Sequence, residues 1–189
     1  MRALIAALGS ALLLTSARGS TEFDLRGIAR AGVRPQSNAV VWLEAPNAPH
    51  TPSQRVVLDQ RNLSFYPHVL AVRVGTVVDF PNDDRVFHNV FSFRDGKRFD
   101  LGMYPVGALR HVEFDRPGLS RVFCNIHPNM AAYVVTVDSP YFARADEQGT
   151  FTIAGVPAGP HKYHAWRPGA VTELTGTAST DRPLTLTWP

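Results

Sequence analysis

The segment Cys124-Asn125-Ile126-His127-Pro128-Asn129-Met130 holds the single cysteine of this chain, with a histidine three residues on and a methionine three beyond that. A thiolate, an imidazole and a thioether in one short loop form a soft donor set, which suits copper better than magnesium or calcium. A second imidazole would complete a plane of two histidines and one cysteine, and His88, within Phe87-His88-Asn89-Val90, is the candidate. A lone cysteine has four uses: a buried inert thiol, an intermolecular link, a nucleophile or a metal ligand. His127 and Met130 beside it favour the last. A thiol enzyme would also need a base and an oxyanion site, and no pattern in the chain supplies either, so the chain is not expected to be an enzyme.

The remaining histidines lack such company. His68, beside Pro67, reads as structural or surface, His50 and His111 as exposed, and His161 and His164 have no soft partners for a second metal site. Asp83-Asp84, in Pro81-Asn82-Asp83-Asp84, is turn chemistry, to which no acid–base role is given.

The elements that must position these side chains are strands. Short runs of β-branched and aromatic residues recur at 39–43, 69–74, 76–80, 121–124, 132–137 and 150–153, and 161–166 alternates as a further strand. The chain's 14 Gly and 15 Pro leave no long segment with a clean helical period, which points to an all-β sandwich fold. Cys124 then closes one strand, Ala132 opens the next, and the hop between them can aim Cys124, His127 and Met130 at a common centre. Val86 to Phe93 reads as a strand or its approach, and strands lie about 4.8 Å apart in a sheet, which brings His88 within reach.

The two ends of the chain share a composition that the middle lacks. Asp146, Gly149, Phe151, Gly155, Pro157, Gly159 and Tyr163 match the "D-x-x-G-x-F…G-x-P-x-G-x-Y" pattern of the carboxypeptidase-regulatory-like (transthyretin-like) β-sandwich, with Tyr163 displaced by one or two residues. The opening, Gly27 to Pro35, matches that family more loosely, with Ile28 in place of its usual Val. This resemblance implies a discontinuous outer sandwich, 20–52 and 139–189, with 53–138 inserted into it. Pro46, Pro49 and Pro52 serve as one linker and Asp138-Ser139-Pro140 as the other.

The middle resembles the cupredoxins, blue-copper proteins of the plastocyanin and amicyanin kind, over about residues 59–138. The matching residues are Phe65-x-Pro67, Val72-x-Val74-Gly75-x-x-Val78-x-Phe80-x-Asn82, His88-Asn89, Phe123-Cys124-x-x-His127 and Met130. Cys-x₂-His-x₂-Met is the short loop of the amicyanin branch, where a proline also follows the loop histidine, as Pro128 does here. The resemblance implies a Greek-key β-sandwich holding one type 1 copper ion. His88, Cys124 and His127 would be its equatorial ligands, Met130 the weak axial ligand, and Asn89 would brace the Cys124 loop. It implies single-electron transfer with an unidentified redox protein, docking on apolar residues near His127: Ile126, Pro128, Met103, Tyr104 or Pro105. The alternative is a copper carrier using the same ligands. Carriers favour Met- and His-rich exposed sites, and this chain has only 3 Met, one of them the initiator.

Arg2 followed by the apolar stretch Ala3 to Leu14 reads as an export signal over 1–19, too short for a span, which wants about 20 apolar residues. The mature protein is therefore expected in the periplasm, as a monomer without a transmembrane segment. Losing residues 1–19 removes Arg2 and Arg18 from 19 basic residues and none from 16 acidic, leaving 17 against 16. Near-neutrality gives no basic face for nucleic acid.

Overall fold

The computed structural model describes residues 22–46, 48, 54–93 and 95–189. The expected export signal, His50 and the linker residues Pro49 and Pro52 lie outside them. Among the described residues there are strands and turns and no helix, and therefore none long and apolar enough to cross a membrane. The all-β reading holds.

Strands from the two ends of the chain pair with each other. One sheet runs Thr150–Pro157, Glu22–Ala31, Leu184–Trp188, with the short Arg34–Pro35 also on Glu22–Ala31. The other runs Phe142–Arg144, Val40–Leu43, Pro160–Trp166, Leu174–Ser179. Leu25, Leu43, Ile153 and Leu186 are among the buried residues of the core these sheets share. The turn before Thr150 explains the Asp-x-x-Gly signature. The Asp146 carboxylate accepts the N–H groups of Gln148 and Thr150 at 3.0 and 2.8 Å. Gly149 turns the chain at φ +75°, where a Cβ would stand 2.4 Å from the Ala29 carbonyl oxygen, so only glycine fits.

The middle of the chain makes its own pair of sheets. A five-stranded sheet runs Phe99–Tyr104, His88–Ser92, Gly118–Phe123, Ala131–Val137, Val69–Arg73; a three-stranded one runs Leu109–Phe114, Thr76–Pro81, Arg55–Val57. Their core contains Phe80, Phe114, Tyr104, Cys124 and Met130. Ala131–Val137 is almost wholly apolar because both of its faces are covered. Ala132 and Val134 enter this core, whereas Val135 and Val137 pack with Val40, Val69 and Trp166 in a third cluster joining the two groups of strands. Phe99–Tyr104 and Leu109–Phe114 lie beyond the sequence expectations, since each edge strand carries polar residues on its open face.

Candidate metal centre

Three side chains from two elements meet at one end of the five-stranded sheet. Phe123 pairs with Phe91 across antiparallel strands, so the chain leaving Phe123 toward Cys124 runs the same way as the neighbouring strand runs from Phe91 back to His88. The Cys124 loop is closed by two backbone bonds: Met130 N–H donates to the His127 carbonyl at 2.9 Å, and Cys124 N–H to the Met130 carbonyl at 3.2 Å. This folds His127 back over Cys124.

His88, Cys124 and His127 present one ligand atom each to a common point. Nδ1 of His88 lies 3.0 Å from Nδ1 of His127, and Cys124 Sγ lies 3.8 Å from the first and 3.5 Å from the second. The circumradius of a triangle with those sides is about 2.0 Å, close to the distances at which imidazole nitrogen and thiolate sulfur bind a borderline-soft divalent metal. The donor set and its spacing therefore fit a metal ion, and two imidazoles with a thiolate suit copper. His88 is wholly buried and Cys124 nearly so, whereas His127 is partly exposed. Met130 is buried in the same apolar cluster as Cys124.

The turn before His88 orients it. Asn82, fully buried, donates from Nδ2 to the carbonyls of Val86 and Tyr104 at 2.9 and 3.2 Å and accepts the Asp84 N–H at 3.2 Å. Asp84 thereby faces inward, and His88 Nε2 donates to its carboxylate at 3.1 Å. A carboxylate only accepts, so Nε2 carries a proton; in the neutral ring this leaves the Nδ1 lone pair facing Cys124 and His127, the tautomer a metal ligand needs. Burial alone would push the Asp84 carboxyl up. The N–H groups of Leu63 and Arg85, together with His88, outweigh that and hold it below its ordinary value. Leu63 sits with Asn62 in a two-residue hairpin turn at φ 56° and 52°, and its N–H reaches Asp84 at 2.7 Å.

Sequence reasoning missed Asp84, which reads as an ordinary turn former; its spacing of four residues before a candidate ligand histidine was the available signal. Two other expectations need correction. Asn89 does not brace the Cys124 loop by its amide: alternation turns it away from the His88 face, and Nδ2 donates to Asp100 Oδ1 at 2.8 Å, leaving Oδ1 buried without a partner among the described residues. Tyr104 is not on the surface. The pairing of Phe99–Tyr104 with His88–Ser92 shifts register between Asp100 and Met103, around Gly102 at φ +65°. The extra residue reverses the alternation, sending Tyr104 inward and leaving Met103 49% exposed. The Tyr104 hydroxyl accepts from Gln60 Nε2 and donates to the Phe80 carbonyl, and burial raises its pKa well above the ordinary value. Ile126, Pro128 and Pro105 are exposed as expected, and so are Val86, Phe87 and Val106, which the sequence had not singled out. His68 stays out of the centre, with Nδ1 on the Ala131 carbonyl at 3.1 Å and its ring edge-on to Tyr133.

No protein-family model and no curated protein matches the chain. Solved structures do. A purple cupredoxin from Nitrosopumilus maritimus is similar over 45% of this chain and 100% of its own, at 25% identity and a TM-score of 0.39. A reduced amicyanin variant is similar over 53% of this chain and 100% of its own, at 22% identity and a TM-score of 0.41. The copper-containing nitrite reductase of Thermus scotoductus is 25% identical over 50% of this chain, which spans only 25% of that enzyme, with a TM-score of 0.43. Over about half its length the chain is thus similar to solved cupredoxins.

Proposed function

We propose that the protein holds one type 1 copper ion between His88, Cys124 and His127, with Met130 as a weaker axial ligand, and carries single electrons between redox partners in the periplasm. The observation that supports this most is the triangle of two Nδ1 atoms and one Sγ with sides of 3.0, 3.5 and 3.8 Å, already assembled with His88 and Cys124 buried. Copper bound there would supply a one-electron couple. The chain's part is to keep the donors still. His88 is locked by Asp84, Cys124 is held by its backbone bond to Met130, and the loop is pinned to two strands of one sheet. His127, the ligand with an exposed edge, lies beside exposed Ile126 and Pro128, where a partner would dock. In this reading no substrate is transformed, and the strands 55–137 form the copper domain inserted between the halves of the outer sandwich. A carrier role with the same ligands fits less well, because a buried cage obstructs release of the ion.

Voltammetry of the copper-loaded mature protein tests the reading. A reversible one-electron wave is expected, absent in Cys124→Ser and lowered in potential in Met130→Gln, since the axial ligand tunes it. Absence of a reversible wave in the unaltered protein would overturn electron transfer, and an unchanged potential in Met130→Gln would remove Met130 from the ligand set.

A further inference from the structure

A second candidate site opens where the two groups of strands meet, and it shares no residue with the metal cluster. At the rim of the apolar junction lies a cavity of about 510 Å³, the size that receives small organic ligands. Leu119, Val135 and Val137 line it from the middle strands, and Trp42 and Trp166 from the outer ones. Glu44, Asp138 and Glu173 also line it, with no lysine or arginine among the described lining residues.

The acidic and aromatic groups are held in place by His164. Its ring stacks on Trp42, with centroids 5.3 Å apart and planes 10° from parallel. Its Nε2 lies 3.1 Å from Glu44 Oε1, and its Nδ1 lies 3.4 Å from Glu173 Oε2. The carboxylates sit on opposite ring nitrogens, so one metal ion could not reach both together with the ring. Among the described residues, three carboxylates face at most one imidazolium and Lys162, whose Nζ lies 4.0 Å from Glu44 Oε2. The net charge stays negative, which repels anions. Two indole rings beside a net negative charge select an apolar body carrying a positive charge.

From this geometry we infer that the cavity between Trp42, Trp166, Glu44 and Glu173 is a binding site for a small organic cation, an amine or quaternary ammonium. Its walls come from both groups of strands, and two of the chain's three tryptophans line it, so intrinsic fluorescence reports occupancy. The test titrates the full mature chain with choline and, in parallel, with its uncharged isostere 3,3-dimethyl-1-butanol. Choline should give a saturable change and the isostere none, in Cys124→Ser as in the unaltered protein. Glu173→Gln, an exposed position that the fold tolerates, should weaken choline roughly two- to fivefold, and Trp42→Leu roughly threefold or more. No saturable change with choline, equal binding of the isostere, or unaltered affinity in Glu173→Gln would each overturn the inference.

Discussion

Asp84 is the residue on which the metal affinity of His88 should depend, and replacing it with alanine exposes the size of the effect. The His88 ring is wholly buried, and Nε2 has the Asp84 carboxylate at 3.1 Å. Without that acceptor the chain has two options. It can keep the proton on Nε2 and leave a buried donor unpaired, which costs about 1–3 kcal/mol. Or it can move the proton to Nδ1, the atom facing His127 at 3.0 Å and Cys124 at 3.8 Å, and so block the lone pair that would bind the ion. Either way the binding-competent tautomer loses a similar amount, and copper affinity should fall about 10- to 100-fold. Asp84→Asn keeps an oxygen acceptor and should lose less than about tenfold. The assay is competition for Cu(I) against a coloured chelator, with thermal melts to show that both variants fold, because Asp84 also accepts the Leu63 N–H. Asp84→Ala binding copper within about twofold of the unaltered protein while folded would refute the argument that this carboxylate sets the tautomer.

Two further outcomes are expected. Tyr104→Phe removes a buried hydroxyl that donates to the Phe80 carbonyl and accepts from Gln60, and denaturant unfolding should show a loss of about 1–2 kcal/mol; no loss would mean those bonds contribute nothing net. The Asp146 carboxyl is held below its ordinary 3.8 by hydrogen bonds from the Thr150 side chain and backbone, and then by that of Gln148. A depressed folded value stabilises the protein above pH 3.8 and is lost as pH falls through that lower value. Melts of Asp146→Asn should therefore flatten relative to the unaltered protein on acidification below about pH 4, and parallel melting curves would contradict the turn's role.

How much of this was legible in the sequence depended on the range of the interaction. The Cys124–Met130 loop was readable because its donors lie within seven residues between two apolar strands. His88 was readable only as the missing imidazole of a known chemistry. Asp84 was hidden because a carboxylate in a turn has the same local signature whether it caps a backbone or orients a ligand, and only the fold, through Asn82, decides which. Tyr104 was misplaced because no strand was legible over 99–104, where a bulge at Gly102 turns its side chain into the core. The cavity at the junction was out of reach altogether, since Trp42 and His164 lie on paired strands more than 100 residues apart in sequence.

The most direct measurement of the central claim is the visible absorption spectrum of the oxidised, copper-loaded mature protein. If His88, Cys124 and His127 hold copper in one plane, an intense thiolate-to-copper band appears, and it vanishes in Cys124→Ser. A colourless protein, or a band that survives loss of the cysteine, would contradict the account.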